Sequence, residues 1–128
     1  MDNAFRESNK LARSAAADKA FDHFSGFRRL IAADPEVTRI WLAGCAEQAL
    51  DVADAERFQQ LASDYLFTFA KWIQRTQAVD MPGVAEGAIQ SLVVELRERP
   101  GLLPHWYRVG EISASSSTRA AVSSALLV

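Results

Sequence analysis

His23, His105 and Cys45 are the only histidines and the only cysteine of this 128-residue chain, so nucleophilic and metal chemistry has few residues to draw on. Cys45 follows Gly44 near the end of a short helical segment, where the helix dipole does not favour a thiolate. A buried, inert thiol is therefore expected there. One cysteine also excludes an internal disulfide and a cysteine-based zinc site. His23 lies beside Phe24 on a long helical stretch and reads as a surface histidine. Asp18 and Asp22 are the one carboxylate pair at i,i+4 spacing, and they read as a solvated face.

The patterns that carry most enzymatic chemistry do not occur. There is no glycine-rich phosphate loop, no nucleophile elbow and no His-Glu-x-x-His zinc helix. A Glu-x-x-His pair of the kind that builds di-iron sites in bundles does not occur either. No catalytic residue, metal ligand or cofactor is assigned, and a non-enzymatic domain is expected. The densest mixture of aromatic and polar groups is Leu103-Pro104-His105-Trp106-Tyr107-Arg108. Trp, Tyr and Arg are the residues that most often anchor binding surfaces. A ligand pocket near Trp72, His105, Trp106 and Arg108 is the candidate site. The competing reading makes Trp106 a core plug whose neighbours reach water, and makes Trp41, Trp72 and Trp106 core pieces with their indole N–H groups on backbone carbonyls.

The elements that would position these residues are helical. Ala17, Ala20, Phe24, Phe27 and Ile31 recur at spacings of three and four along a proline-free stretch from about Asn3 to Ala33. Residues 1–14 are thinner in pattern and are expected to be frayed or linker-like. Asp34-Pro35-Glu36 is a helix start: a carboxylate to cap a free N–H, a proline where no N–H is needed, and an acid in the first turn. Val37, Ile40, Trp41 and Gly44 give the second helix its face. A third helix is expected from about Ala55 to Gln77, capped by Asp51 or Asp54. Its apolar residues spread so widely that it is central or meets a partner, and the central position is favoured.

Asp80-Met81-Pro82-Gly83 marks a turn. A fourth helix follows from about Val84 to Arg97, with Glu95 and Arg99 in the favourable i,i+4 order, and Pro100-Gly101 stops it. Residues 102–109 read as one or two further helical turns. The Ser-rich stretch 113–118 is either a linker or the cap of a last helix, and 113–128 is expected to dock weakly. The sum is an all-α, single-domain, irregular bundle of about five or six helices spanning 1–128.

Composition sets the partner classes. Hydrophobic residues make up 49% and charged residues 23%, ordinary values for a globular chain. With 14 basic and 16 acidic residues the net charge is -2, which argues against nucleic acid, because phosphate binding needs excess Lys and Arg. No stretch reaches the roughly 20 apolar residues that span a bilayer, and Met1-Asp2-Asn3-Ala4-Phe5-Arg6-Glu7 lacks a signal-peptide core. The chain as written is expected to be cytoplasmic.

Three stretches, in order, resemble a large group of uncharacterised bacterial proteins. Phe5-Arg6-Glu7-Ser8-Asn9-Lys10 is similar to that group's Ile-Arg-Gln-Asn-Thr-like segment. Phe27-Arg28-Arg29-Leu30-Ile31-Ala32-Ala33-Asp34-Pro35-Glu36 with Ile40-Trp41 resembles its "Asp-Pro-Glu-Leu … Ile-Trp" junction. Arg99-Pro100-Gly101 with Trp106 resembles its "Arg-Pro-Gly … Trp" segment. The resemblance covers the chain to about Val109. It implies a small helical domain preceded by an N-terminal transmembrane helix, hence either a soluble variant or a chain without its anchor. Ser115-Ser116-Ser117-Thr118 departs from the aromatics usual there. Protein contacts, through a partner or self-association, are the leading functional expectation. A small-molecule or lipid-binding bundle is the alternative.

Overall fold

The computed structural model describes residues 3–78 and 82–128; the side chains of residues 3, 5, 9, 12–14, 16, 17 and 82 lie outside that description. The expected inward position of Ala17 and the turn residues Asp80 and Met81 therefore fall outside it. Among the described residues the secondary structure is entirely helical: α1 (Asn3–Ala33), α2 (Pro35–Cys45), α3 (Val52–Ala78), α4 (Pro82–Glu98), a 3-10 turn (Pro100–Leu102), α5 (Leu103–Ser113) and α6 (Ser116–Leu126). The chain is an irregular all-α bundle.

Local chemistry sets the boundaries. Asp34 sits in extended backbone and its carboxylate accepts from Glu36 N–H at 2.9 Å, with Pro35 opening α2. The Thr38 hydroxyl donates to the Ile31 carbonyl at 2.5 Å, tying the end of α1 to the start of α2. At the other end of α2 the chain leaves through Glu47, whose φ is 59°. Glu47 N–H donates to Gly44 O (3.1 Å) and Gln48 N–H to Ala43 O (2.9 Å), which satisfies two terminal carbonyls in a Schellman arrangement.

Asp51 caps α3 by accepting from Asp54 N–H at 2.8 Å. This leaves the Asp54 carboxylate to meet Arg39 of α2 at 2.8 Å, and the helix starts three residues before the expected Ala55. Ser115 caps α6 by accepting from Thr118 N–H at 3.2 Å, so the serine stretch starts a helix. Arg97 of α4 donates to the carbonyls of Ala125 and Val128, groups a helix end otherwise leaves to water. Val122 (0% exposed) and Thr118 (3%) press α6 into the body.

The centre is α3, which packs against α1, α2, α4 and α5; this accounts for its wide apolar surface. Ile40, Leu66, Ile73, Leu92, Leu102, Trp106, Val109 and Val122 are sealed in one cluster. Burying each such side chain is worth about 1.5–3 kcal/mol. The expected indole bonds are not made: among the described residues no Trp N–H donates to a backbone carbonyl. Among the described residues, the buried side-chain polar atom without a partner is Arg119 Nε.

One approach is unusually close. The backbone of Gly101 in the 3-10 turn lies against Gly44 near the end of α2, and a Cβ at Gly101 would fall 1.7 Å from the Gly44 carbonyl oxygen. Gly44 in turn lies under the Phe58 ring, 2.2 Å from where its own Cβ would be. By contrast, α1 packs on α2 and α3, and many of its described side chains are exposed.

Candidate functional site

Where α1 crosses α3, it does not close against α4. The gap is a cleft of about 560 Å³ floored by α3, walled by α1 and α4, and ended by α2. Its size falls within the range of small-molecule sites. Six aromatic side chains line it: Phe24 and Phe27 from α1, Trp41 from α2, and Tyr65, Phe69 and Trp72 from α3. Their spacing follows from helical periodicity. Phe24 and Phe27 are three apart, and Tyr65, Phe69 and Trp72 four and three apart, so each set shares one face.

The rings pack edge-on and tilted. Phe24 meets Phe69 at 4.7 Å between centroids and Tyr65 at 5.7 Å. Phe27 meets Trp41 at 5.0 Å and Tyr65 at 5.0 Å, and Trp41 meets Tyr65 at 5.3 Å. Such edge-on and tilted geometry suits the ring quadrupoles. Phe69 and Trp41 are buried, whereas Phe24, Phe27, Tyr65 and Trp72 are half-buried and show part of their faces to the cleft.

The polar groups gather at the α4 side. Glu95 pairs with Arg99 at 2.5 Å, and their side chains are only 21% and 38% exposed. The pair expected from i,i+4 spacing is thus part of the cleft lining. Burial, and then the Glu95 carboxylate, raise the Tyr65 phenol well above its ordinary pKa, so it stays a neutral O–H donor. The Ser91 hydroxyl donates to Gly87 O at 3.0 Å, and the Thr38 hydroxyl is spent on Ile31 O. Across the opening, Arg28 of α1 makes no ion pair or hydrogen bond among the described residues.

The residues proposed from sequence are dispersed. Trp72 lines the cleft. Trp106, 2% exposed, is a core piece beside Gly110 and Arg119. His105 stacks edge-on against Phe58 at 5.3 Å, and burial, then Arg108, hold its pKa below the ordinary value. Arg108 donates to the Ser63 hydroxyl at 2.6 Å. These three side chains therefore meet different neighbours, and none of them lines the cleft. Spacing alone places Phe24 and Phe27 on one face of α1 and Glu95 and Arg99 as an i,i+4 pair, and gives no sign that they converge with Tyr65 on one cleft. The legible signal was that two helices presented aromatic rather than aliphatic stripes.

A second hollow of about 460 Å³ lies on the other flank of α1, lined by Asp22, His23, Asp64, Lys71 and Arg75 among others. It holds three aromatic side chains, Phe27, Phe67 and Trp72, against six in the cleft, and more charged groups stand among them. Cys45 is buried, and burial pushes its thiol up to about 12, which suits a packing role. Among the described residues no group of three or more His, Cys, Asp or Glu could hold a metal ion, and no helix is long and apolar enough to cross a membrane. Comparison with protein-family models, curated proteins and solved structures found no match.

Proposed function

We propose that this domain is a non-enzymatic binding module that takes a small, largely apolar molecule into the cleft between α1, α3 and α4. The observation that carries this reading is the cleft itself, six aromatic side chains around one partly buried ion pair. Ligand sites in proteins combine an apolar lining with a few placed polar groups, and bundles build them between helices. Protein docking is a second reading, supported by Leu11 (68% exposed), Phe21 (66%) and Leu30 (52%) on α1. Separated by ten and nine residues, these do not share a helical face, so they form no stripe for a partner helix. An N-terminal anchor of the kind the resemblance implies would hold α1, and with it the cleft, close to a bilayer.

The test is native mass spectrometry of the purified chain, followed by a thermal-shift screen of apolar and aromatic compounds. Extra mass, or a ligand that raises the melting temperature, is expected for the parent. Ser91→Trp places a large ring into the cleft from an exposed position on α4 and should abolish the shift without lowering the ligand-free melting temperature. A bare mass with no stabilising compound, or hits that bind Ser91→Trp equally well, would overturn the proposal.

A further inference from the structure

Charge in the cleft selects among apolar ligands. Two guanidiniums, Arg28 and Arg99, face one carboxylate, Glu95. The carboxylate is already held by Arg99 at 2.5 Å and is further engaged on the Tyr65 side. Glu98 approaches Arg99 only at 4.0 Å, is 67% exposed, and does not line the cleft. Water screens it there. Arg28, by contrast, has no partner among the described residues.

The lining therefore carries one uncompensated positive charge beside an apolar floor. A cationic ligand would find ring faces, which attract it, but it would also meet two guanidiniums against a carboxylate already in use. An unsatisfied like charge near a desolvated site costs more than one exposed cation–π contact returns. A neutral ligand would leave Arg28 without a partner. A single anion satisfies both the floor and the rim, and Arg is suited to take a carboxylate through two parallel N–H donors.

Resting on the cleft reading above, the geometry points to a monoanionic amphiphile as the ligand: a carboxylate, received by Arg28 at the rim, on an apolar body lying over Phe24, Phe69 and Trp72. An alkyl chain and an aryl group both present this chemistry, and the experiment separates them.

Trp41 and Trp72 line the cleft and serve as fluorescence reporters. The parent is titrated with dodecanoate, dodecanol and dodecylammonium, and with 2-naphthoate and 2-naphthylmethanol, all below micelle formation. The expected result is that at least one carboxylate binds roughly tenfold tighter than its alcohol, and that dodecylammonium binds weakest. The better of the two carboxylates identifies the body as alkyl or aryl. Arg28→Gln, at an exposed position that bears on no core contact, should weaken carboxylate binding about threefold to tenfold and leave alcohol binding unchanged. Glu95→Gln removes the opposing charge and should tighten it. Equal affinity for acid and alcohol, preference for dodecylammonium, or an Arg28→Gln variant that loses acid and alcohol alike overturns the anion assignment while the cleft reading stands. If no probe binds the parent, both fall.

Discussion

Among the glycines, Gly101→Ala should be the most damaging substitution by alanine. The added Cβ would lie 1.7 Å from Gly44 O, 2.8 Å from the Gly44 carbonyl carbon and 3.1 Å from that of Cys45. Ordinary close C···O approaches are about 3.3 Å, so α2 and the 3-10 turn must separate by about 1.6 Å. None of the obstructing atoms is the end of a side chain that could swing away. Gly44 has no room to retreat either, because it sits beneath the Phe58 ring. The separation would open the core beside Ile40 and Leu102, both 0% exposed. Overpacking alone costs about 1–3 kcal/mol, and a backbone-on-backbone clash belongs at the top of that range or above. The reduced entropy of the unfolded chain returns about 0.4–1 kcal/mol. A net loss of about 3 kcal/mol is expected, or about 10 °C in melting temperature for a chain this size. Urea unfolding followed by circular dichroism measures it. Gly87→Ala is the matched control: it lies on the exposed side of α4 with nothing within 4 Å, and should stabilise by about 0.5–1 kcal/mol. If Gly101→Ala unfolds within 0.5 kcal/mol of the parent, the close approach of α2 to the turn is refuted.

Two further perturbations probe other parts of the fold. Glu47→Gly relieves a side chain from the left-handed backbone that closes α2 (φ 59°) and should raise stability by about 0.5–1 kcal/mol in the same urea assay; destabilisation would argue against the Schellman closure. His105 has a lowered pKa in the fold against an ordinary 6.5, so the unfolded chain takes up its proton first as pH falls. Its contribution to stability is complete above about pH 6.5 and is lost as pH falls through that value towards the lowered one. The urea midpoint should therefore drop between pH 7 and pH 5.5, and less steeply in His105→Gln; equal slopes would exclude His105 as the cause.

Helix ends were legible because their chemistry is local. Asp34 and Pro35, Ser115, and Pro100 with Gly101 each act within a few residues, and the structure uses each as its type suggests. The start of α3 was harder because two aspartates could cap it. The choice was made by Arg39, 15 residues upstream of Asp54, which claims that carboxylate and leaves Asp51 to cap. The site was least legible. His105, Trp106 and Arg108 are neighbours in the chain, but successive helical residues point about 100° apart, so density along α5 meant dispersal around it. The cleft draws on residues from Phe24 to Arg99, and its existence depends on α1 standing off from α4. Periodicity gives the face of a helix and not the distance to the next one.

The junction at Asp34 makes α1 a lever. A 31-residue helix is about 46 Å long; it is tied to α2 near one end, where Thr38 holds the Ile31 carbonyl, and rests on α3 through Phe24 and Phe27. Phe24, about 15 Å from that pivot, packs on Tyr65, Phe69 and Trp72 and lines the cleft. A tilt of 5° to admit a ligand displaces Phe24 by about 1.3 Å and the opposite tip of the helix by about 4 Å. The geometry multiplies a sub-cleft adjustment about threefold, so the N-terminal turns of α1 report occupancy at a distance. A spin label near Leu11, measured against one on α4, would read the cleft from outside without touching it.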